Sequence, residues 1–234
     1  MIDLLYVTHG RIDLTRTTLP RLLEYDEFQV TVFNNASTDG TGEFLKDISA
    51  KKNFTLLTSD RNLNLSMITK NFWFSSDSEF VAKVDNDILL PESKEWINRF
   101  VDTFGRMRRL AVAGLFHFDF PKEREKELAT LETNGLIIQE YVGGNYVARR
   151  KAVVHSRLGG YGLWGWTEAQ IEIRKKGWLI GYPWPLVRVL HLESGNEDHE
   201  FRIRRGFGLE KARRFDKEDQ RWFFGERRIC DGPT

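Results

Sequence analysis

Cysteine is nearly absent from this sequence, which has one, Cys230, among its 234 residues. A single cysteine excludes an intrachain disulfide and a cysteine-based metal site. The first residues lack the basic flank and long apolar core of a signal peptide. No apolar run is long enough to span a membrane. We therefore expect a protein without a transmembrane segment, located in the reducing cytoplasm.

An excess of charge of one sign is also missing. The sequence has 35 Lys and Arg against 34 Asp and Glu, a formal net charge of +1. This balance gives no electrostatic case for a nucleic-acid-binding protein. Two phosphate-binding motifs are absent as well: no Gly-x-Gly-x-x-Gly follows the first apolar run, and no Walker loop occurs. A dinucleotide-dependent oxidoreductase is therefore disfavoured.

Short apolar runs alternate with segments of helical periodicity through the first 116 residues. The predicted strands are 2–7, 28–33, 54–57, 80–84 and 110–116, and the predicted helices are 14–25, 41–48, 65–74 and 91–104. Such alternation implies crossover connections and a mainly parallel sheet with helices on both faces. The sequence thus predicts an α/β fold.

The regular alternation stops near residue 116. Beyond it we predict strands at 136–142, 145–148, 178–182 and 186–190, helices at 151–157 and 168–176, and a helical tail. No linker or repeat divides the chain. We expect one domain with a nucleotide-binding half (1–116), an acceptor half (117–196) and a C-terminal helical tail (197–234).

Polar residues follow the ends of four predicted strands. They are Thr8-His9-Gly10, the run 34–41, Ser59-Asp60-Arg61-Asn62 and Asp85-Asn86-Asp87. Ligands of open α/β sheets bind at the carboxyl ends of the strands. Four such segments in succession therefore indicate a ligand site along one edge of the sheet.

The segment Asp85-Asn86-Asp87 has two carboxylates that could reach a divalent cation directly or through water. Mn²⁺ and Mg²⁺ favour such oxygen ligands and bridge to phosphate oxygens, where they neutralise a departing diphosphate. The alternative is a solvated turn that caps a helix at Pro91. Because Asp-x-Asp is common by chance, the segment alone favours the turn.

The run Asn34-Asn35-Ala36-Ser37-Thr38-Asp39-Gly40-Thr41 resembles the Asp-Asp/Asn-Gly/Ala-Ser-Thr-Asp-Gly-Thr signature of family 2 glycosyltransferases with the GT-A fold. Further segments resemble that family in the same order, at 60–65, 83–87, 143–150 and 159–178. The resemblance implies a GT-A (Rossmann-like) nucleotide-diphospho-sugar transferase fold. It also implies metal-dependent, inverting transfer of a sugar, with a UDP-sugar as the default donor, to a glycan, lipid-linked or small-molecule hydroxyl acceptor.

The resemblance assigns a role to residues at each strand end. Thr8, Asn34 and Asn62 would line the base and ribose pocket, and Asp39 would hold its loop. The family usually has an acidic residue at position 34, which leaves the base open. Asn64 replaces a family glycine, and we expect it to tolerate a positive φ.

The same resemblance places the metal ligands. Asp87 would bind Mn²⁺ or Mg²⁺ directly, and Asp85 would lie near the ribose or the metal. His191 resembles the histidine that completes some GT-A metal sites, since imidazole is a suitable metal ligand. A structural or merely exposed His191 is the alternative.

Glu168 is the candidate general base for the acceptor hydroxyl. The family's Glu-Asp pair is not intact here, and Glu168 is the nearest carboxylate, with Glu172 as the second choice. Alternatively, Glu168 heads the helix 168–176 and interacts with the helix dipole.

Three aromatic residues lie among glycines before that helix: Tyr161, Trp164 and Trp166. Flat rings beside glycines suit stacking on a sugar, although aromatic residues more often seal a core. We expect one of the two tryptophans to face the substrate.

Two other functions compete with sugar transfer. A nucleotidyltransferase shares this kind of sheet, but Thr8-His9-Gly10-Arg11 is a poor version of its triphosphate loop. A non-catalytic nucleotide-sugar-binding protein is compatible with the broken Glu-Asp pair.

Overall fold

Four parallel strands form the first half of the main sheet. They are β1 (Ile2–Thr8), β2 (Phe28–Asn35), β3 (Thr55–Ser59) and β4 (Phe80–Asp85), and they lie in the order β3-β2-β1-β4. The helices that connect them are α1 (Ile12–Leu22), α2 (Thr41–Ser49) and α3 (Leu65–Ser75). The predicted alternation of strand and helix is confirmed in this computed structural model, which describes residues 1–117, 126, 128–156 and 163–192.

The described residues belong to one compact unit, Met1–Leu192. The predicted C-terminal helical tail, 197–234, lies outside the described residues, as do positions 118–125, 127, 157–162 and 193–196 of the predicted acceptor half. Within the described ranges, no helix is both long enough and apolar enough to cross a membrane.

The second half of the chain adds strands of both directions. The elements are β5 (Ile88–Leu89), α4 (Glu95–Arg106), β6 (Leu110–Gly114), β7 (Phe116–His117), β8 (Glu132–Thr133), β9 (Leu136–Ile138), β10 (Tyr146–Arg149), α5 (Arg150–Val153), α6 (Leu163–Lys175), β11 (Leu179–Pro183) and β12 (Arg188–His191). The nine-stranded sheet has the order β3-β2-β1-β4-β10-β6-β11-β9-β8. β10 is antiparallel to both β4 and β6, so the sheet is mixed rather than purely parallel.

A small second sheet of β5, β12 and β7 forms where β6 ends. The predicted strand 110–116 divides there, because the Leu115 N–H donates to the Asn145 carbonyl (3.0 Å) and the Phe116 N–H donates to Val187 (2.8 Å). The predicted helix start at Pro91 is wrong: α4 begins at Glu95. Ile88 and Leu89 form β5 with β12 instead of approaching a helix.

Apolar side chains cover both faces of the main sheet. Leu4 and Tyr6 of β1 pack in the larger core cluster with α1 and α4, whereas Leu5 and Val7 pack with Ile68 of α3 on the other face. A third cluster, which contains Trp73, joins β10, β11 and α6. Burial on both faces explains the continuous apolar runs of the central strands. This layering leaves the carboxyl ends of β1, β2 and β4 as neighbouring positions for a site.

Candidate active site

The Asp85-Asn86-Asp87 segment is anchored by its middle residue. Asn86 is buried, and its side-chain amide donates to Thr8 Oγ1 at 3.1 Å. Its backbone carbonyl accepts from the Thr18 hydroxyl at 2.9 Å. The segment is therefore fixed to β1 and α1, which places its two carboxylates at the strand ends.

The Asp87 carboxylate contacts the side chains of Arg11 and His191, which come from distant parts of the sequence. Its Oδ2 lies 2.8 Å from Arg11 Nη1 and 3.4 Å from His191 Nε2. The Leu192 N–H donates to the Asp87 carbonyl at 2.8 Å, which keeps the end of β12 beside this residue. The side chain of Asp87 is 12% exposed. Asp87 is thus not part of a solvated turn, and the helix that such a turn was expected to cap begins only at Glu95.

The charge on Asp87 follows from these neighbours. Burial by itself raises the pKa of the Asp87 carboxyl, but the hydrogen bond and charge of His191 and the charge of Arg11 outweigh it. The net pKa of Asp87 lies well below its ordinary value. Asp87 is therefore an anionic oxygen donor at neutral pH.

Asp85 has a different cationic partner. The buried Lys83 Nζ donates to Asp85 Oδ1, and the Asp85 N–H donates to Asn145 Oδ1 at 2.7 Å. Asn145, at the start of β10, thereby fixes the end of β4. The two carboxylates of the Asp-x-Asp segment are neutralised separately, Asp87 by Arg11 and Asp85 by Lys83.

The described side chains supply only some of the ligands that a divalent cation needs. Among the described residues, no group of three or more His, Cys, Asp and Glu side chains is arranged to hold a metal ion. Asp87 and His191 do lie together and offer one oxygen and one nitrogen donor. Two protein ligands suit a cation whose remaining positions are filled by water and substrate phosphates. The residues therefore fit a metal whose other ligands come from a bound diphosphate and water.

Asp39 joins the loops that follow β1 and β2. Its Oδ2 accepts from the Ile12 N–H at 2.9 Å, and its Oδ1 accepts from the Thr41 hydroxyl at 2.6 Å. Both bonded residues begin helices, α1 and α2. Burial raises the pKa of Asp39, but the hydrogen bonds from Thr41 and Ile12 together outweigh it and lower this pKa overall. Asp39 thus holds the loops in place through its ionised carboxylate.

Thr8 and Asn34 are buried rather than open to a pocket. The Thr8 hydroxyl bonds to Gly10 O and Asn86, and Asn34 Oδ1 accepts from the Ser37 N–H at 3.1 Å. This differs from the expectation that both side chains line the base and ribose pocket. The polar atoms of Thr8 and Asn34 form hydrogen bonds within and between the loops. In this structure the two residues therefore hold the loops of the site in position.

Asn62 and His9 form an exposed pair at the ends of β3 and β1. Asn62 Nδ2 lies 3.4 Å from His9 Nε2, and Asn62 Oδ1 accepts from Asn35 Nδ2 at 2.8 Å. His9 Nδ1 bonds to the Asn35 carbonyl. The sequence prediction named Asn62 but gave His9 and Asn35 no role. Their position directly after two strands was the signal that could have identified them.

Asn64 has another conformation than expected. Its φ is −62°, and its side chain caps α3 by accepting from the Ser66 N–H at 2.8 Å. The tolerance of asparagine for a positive φ is not used here, because the chain enters the helix at this residue. An asparagine at this position satisfies a helix N-terminus, which a glycine side chain does not do.

Trp166 belongs to the core. It is 7% exposed, stacks on Tyr146 with ring centroids 4.2 Å apart, and donates from Nε1 to Gly143 O at 2.9 Å. The prediction that Trp166 contacts a sugar is therefore not met, since its ring faces and indole N–H are occupied. The side chain of Trp164 and all of Tyr161 lie outside the described residues.

Glu168 lies on α6, which docks onto the segment before β10. α6 is described from Leu163, so Glu168 does not head the helix, and the alternative role at its N-terminus is wrong. Gln170 Nε2 donates to the Val142 carbonyl at 3.0 Å, and its Oε1 accepts from the Val142 N–H at 2.8 Å. Glu168 itself is exposed.

Residues 4–160 match the sequence profile of Glycosyl transferase family 2. Comparison with curated proteins finds no match. Among solved structures, the mannosyltransferase PcManGT from Pyrobaculum calidifontis, in complex with GDP-Man and Mn²⁺, is similar with a TM-score of 0.68 and 19% identity. That match covers 87% of this chain and 60% of the other.

S. aureus TarS 1-349 is also similar, with a TM-score of 0.59 and 15% identity, over 86% of this chain and 63% of that one. The same protein has been solved in complex with UDP. This chain thus spans about three fifths of the length of these structures. At such identities the likeness concerns the fold, and it confirms the GT-A architecture expected from the sequence. Since the profile match covers well over half of the sequence, the chain belongs to glycosyl transferase family 2.

Proposed function

We propose that this protein transfers a sugar from a nucleoside-diphosphate sugar to a hydroxyl acceptor at the edge formed by β1, β2, β4 and β12. One observation carries the proposal. His191, at the end of the described chain, lies 3.4 Å from Asp87 of the Asp-x-Asp segment. Because the chain belongs to a family of glycosyltransferases, we assign this pair to a sugar-transfer site.

Asp87 and His191 would hold a divalent cation, Mn²⁺ or Mg²⁺, together with the donor diphosphate. Such a cation supplies charge neutralisation for the departing nucleoside diphosphate. Asp85, tied to Lys83 and Asn145, is placed at the same strand end, where its carboxylate can accept from donor hydroxyls. The metal-bound neighbour PcManGT contains Mn²⁺, which supports this assignment by analogy.

A nucleoside base would lie near the exposed Asn62 and His9, on the side of β3. UDP is the nucleotide that the sequence resemblance favours, and TarS has been solved with UDP. PcManGT holds GDP-Man, so GDP is the direct competitor in a test. Asn34, buried behind this pair, supports the loop that follows β2.

Glu168 is the proposed general base. An inverting transfer needs a carboxylate that accepts the proton of the acceptor hydroxyl while its oxygen attacks the sugar C1. Glu168 is exposed on α6, a helix fixed to the segment before β10 by Trp166 and Gln170. A base on a rigid helix keeps its distance to the donor site, as positioning requires.

The donor site is tested by thermal shift with UDP, GDP, dTDP and CDP, each with and without Mn²⁺. A ligand that binds only the folded state raises the melting temperature. We expect one nucleotide to give a shift that requires Mn²⁺ and disappears in Asp87→Ala. Asp102→Ala, which removes an exposed carboxylate on α4, is the matched control and should keep the shift. Absence of a shift with all four nucleotides would overturn the proposal.

The base is tested by Glu168→Gln, which keeps the shape of the side chain but cannot take a proton. We expect turnover of the donor to fall about 10²–10⁴-fold, with nucleotide binding unchanged. Glu172→Gln, one helical turn later, is the control. Loss in Glu172→Gln instead would transfer the role to that residue. Binding without turnover in the unaltered protein would favour the non-catalytic nucleotide-sugar-binding alternative.

A further inference from the structure

Both carboxylates of the Asp-x-Asp segment are paired with cations of the protein itself. Lys83 donates to Asp85, and its side chain is buried. Arg11 donates to Asp87 Oδ2 at 2.8 Å, and this guanidinium side chain is 39% exposed. The Lys83 pair is therefore fixed within the sheet, whereas the Arg11 pair lies at the surface, where a ligand can reach it.

The backbone directs Arg11 to this position. Arg11 has φ 59° and Gly10 has φ 67°, so two successive residues adopt the left-handed conformation just before α1. The Gly10 N–H donates to Ser37 Oγ at 2.9 Å, which ties this turn to the loop after β2. Arg11 is thus held beside Asp87 by the same loops that would receive the donor.

A guanidinium and a divalent cation compete for the same oxygen in this arrangement. His191 Nε2 approaches Asp87 Oδ2, the atom that Arg11 already binds. A cation bound between His191 Nε2 and Asp87 Oδ2 takes the oxygen that Arg11 contacts, and its positive charge repels the adjacent guanidinium. Displacement in the absence of a nucleotide would leave Arg11 without this anionic partner. A diphosphate supplies a replacement, because arginine binds phosphate oxygens through paired N–H donors.

We infer that Arg11 occupies the place of the metal in the free protein and moves to the donor diphosphate when metal and nucleotide bind together. This inference rests on the proposed function. Arg11 then has two roles, as a competitor of the free cation at Asp87 and as a diphosphate-binding group. Metal and nucleotide should consequently bind with strong positive coupling. The diphosphate gives the displaced Arg11 a new anionic partner, and the metal releases Arg11 from Asp87 to bind the diphosphate.

The test is a titration of the protein with Mn²⁺, followed by the EPR signal of the free ion, without and with UDP or GDP. The variant Arg11→Met removes the guanidinium but keeps most of the side-chain length. We expect it to bind Mn²⁺ about tenfold more tightly without nucleotide, and to bind the nucleotide about tenfold more weakly with Mn²⁺ present. With nucleotide affinity in the absence of Mn²⁺ unchanged, the two changes are the same loss seen from either ligand, and the coupling should fall about tenfold.

Arg16→Met is the matched control, since Arg16 is an exposed arginine of α1, the helix that follows Arg11, and its guanidinium lies over Phe44. It carries the same change in net charge and should leave both affinities unaltered. Arg11→Lys, which restores a positive charge, should return Mn²⁺ binding toward that of the unaltered protein. Melting temperatures of the three variants identify any loss of folding, and if Arg11→Met does not fold, Arg11→Gln takes its place in the same comparison.

The outcomes separate this inference from the proposed function. If the unaltered protein binds a nucleotide with Mn²⁺, but Arg11→Met binds free Mn²⁺ no more tightly than Arg16→Met, Arg11 is not a stand-in for the metal. If no nucleotide binds in the presence of Mn²⁺ to the unaltered protein or to the control, the donor site itself is absent. If Arg11→Met and Arg16→Met gain the same Mn²⁺ affinity, the gain comes from the change in net charge, and the inference is overturned.

Discussion

Asp87 shows how one residue combines burial with charge. Its carboxylate is largely removed from water, yet Arg11 and His191 keep its pKa well below the ordinary value. Removal of this carboxylate takes an anionic contact from Arg11 and from the partly buried His191, which is costly. The residue therefore contributes to stability as well as to the proposed metal site, and the two contributions can be measured separately.

The stability contribution of Asp87 should depend on pH. A carboxyl whose pKa is depressed in the folded state contributes fully above its unfolded pKa of about 3.9, and the contribution is lost as pH falls toward the folded pKa. We expect Asp87→Asn to lower the free energy of unfolding by about 1–3 kcal/mol at neutral pH. Urea unfolding should show this difference shrinking below about pH 4.

Asp60→Asn is the control for that measurement, because Asp60 is exposed on the loop after β3. Its unfolding free energy should follow that of the unaltered protein at each pH. A difference for Asp87→Asn that stays constant or grows on acidification would contradict the assigned ion pairs.

At the residue scale, the sequence predicted a role for Asp85, Asp87 and His191 but did not predict that Lys83 and Arg11 pair with the two carboxylates. The Asp-x-Asp pattern and its place after a strand could be read directly. Arg11 and Lys83 could not be assigned to them, because which carboxylate each cation meets depends on the turn at Gly10 and on side-chain directions in β4. For the same reason, Trp166 was expected at a sugar, whereas its stacking on Tyr146 depends on the docking of α6.

At the scale of single elements, helix boundaries connect the site to stability. α3 begins after Asn64, whose side chain accepts from the Ser66 and Met67 N–H groups. The loop just before this cap contains Asn62 and Leu63, both bonded to Asn35. The same short segment therefore starts a helix and forms the exposed wall where a base would lie.

Asn64→Ala should lower the free energy of unfolding by about 1 kcal/mol, because α3 loses the side chain that satisfies its N-terminus. Asn71→Ala, at an exposed position within α3, should have little effect or a slightly stabilising one, since alanine favours helix. Chemical denaturation of the two variants provides the comparison. Equal effects of both substitutions would indicate that the Asn64 hydrogen bonds contribute nothing.

Two glycines distinguish a close backbone approach from open space. A Cβ at Gly181 in β11 would clash with the carbonyl of Ile137 in β9, whereas a Cβ at Gly105 in α4 meets nothing within 4 Å. Gly181→Ala should therefore destabilise the protein by about 2–3 kcal/mol. Gly105→Ala should stabilise it by about 0.5–1 kcal/mol through helix propensity. Thermal unfolding measures both, and a tolerated Gly181→Ala would argue against the β9–β11 pairing.

At the scale of the whole molecule, β10 joins the two halves of the chain. It pairs with β4 on one side and β6 on the other, although it follows both in sequence. Arg149, at its end, is buried and donates to Glu79 and to the Phe104 carbonyl. The half that contains the Asp-x-Asp segment consequently depends on residues from the later half for its sheet edge and for His191.

Residues 1–116 alone should therefore fail to fold cooperatively. Without β10, the edge of β4 is unpaired, and Trp73 loses its contact with Trp166. Residues 1–192 are the control, because they include the complete unit, and they should unfold in one transition followed equally by circular dichroism and tryptophan fluorescence. A cooperative transition in the shorter fragment would show that the first half is an independent domain.

The sequence by itself determined the α/β class, the alternation of β1 to β4 with helices along the chain, and the family. It did so because strand and helix periodicity and strand-end motifs are local properties of consecutive residues. Only the tertiary structure decided that β10 enters between β4 and β6, that Trp166 is core, and that Arg11 and His191 share Asp87. These features arise from packing between segments far apart in the chain, and local patterns contain no information on which distant side chains meet.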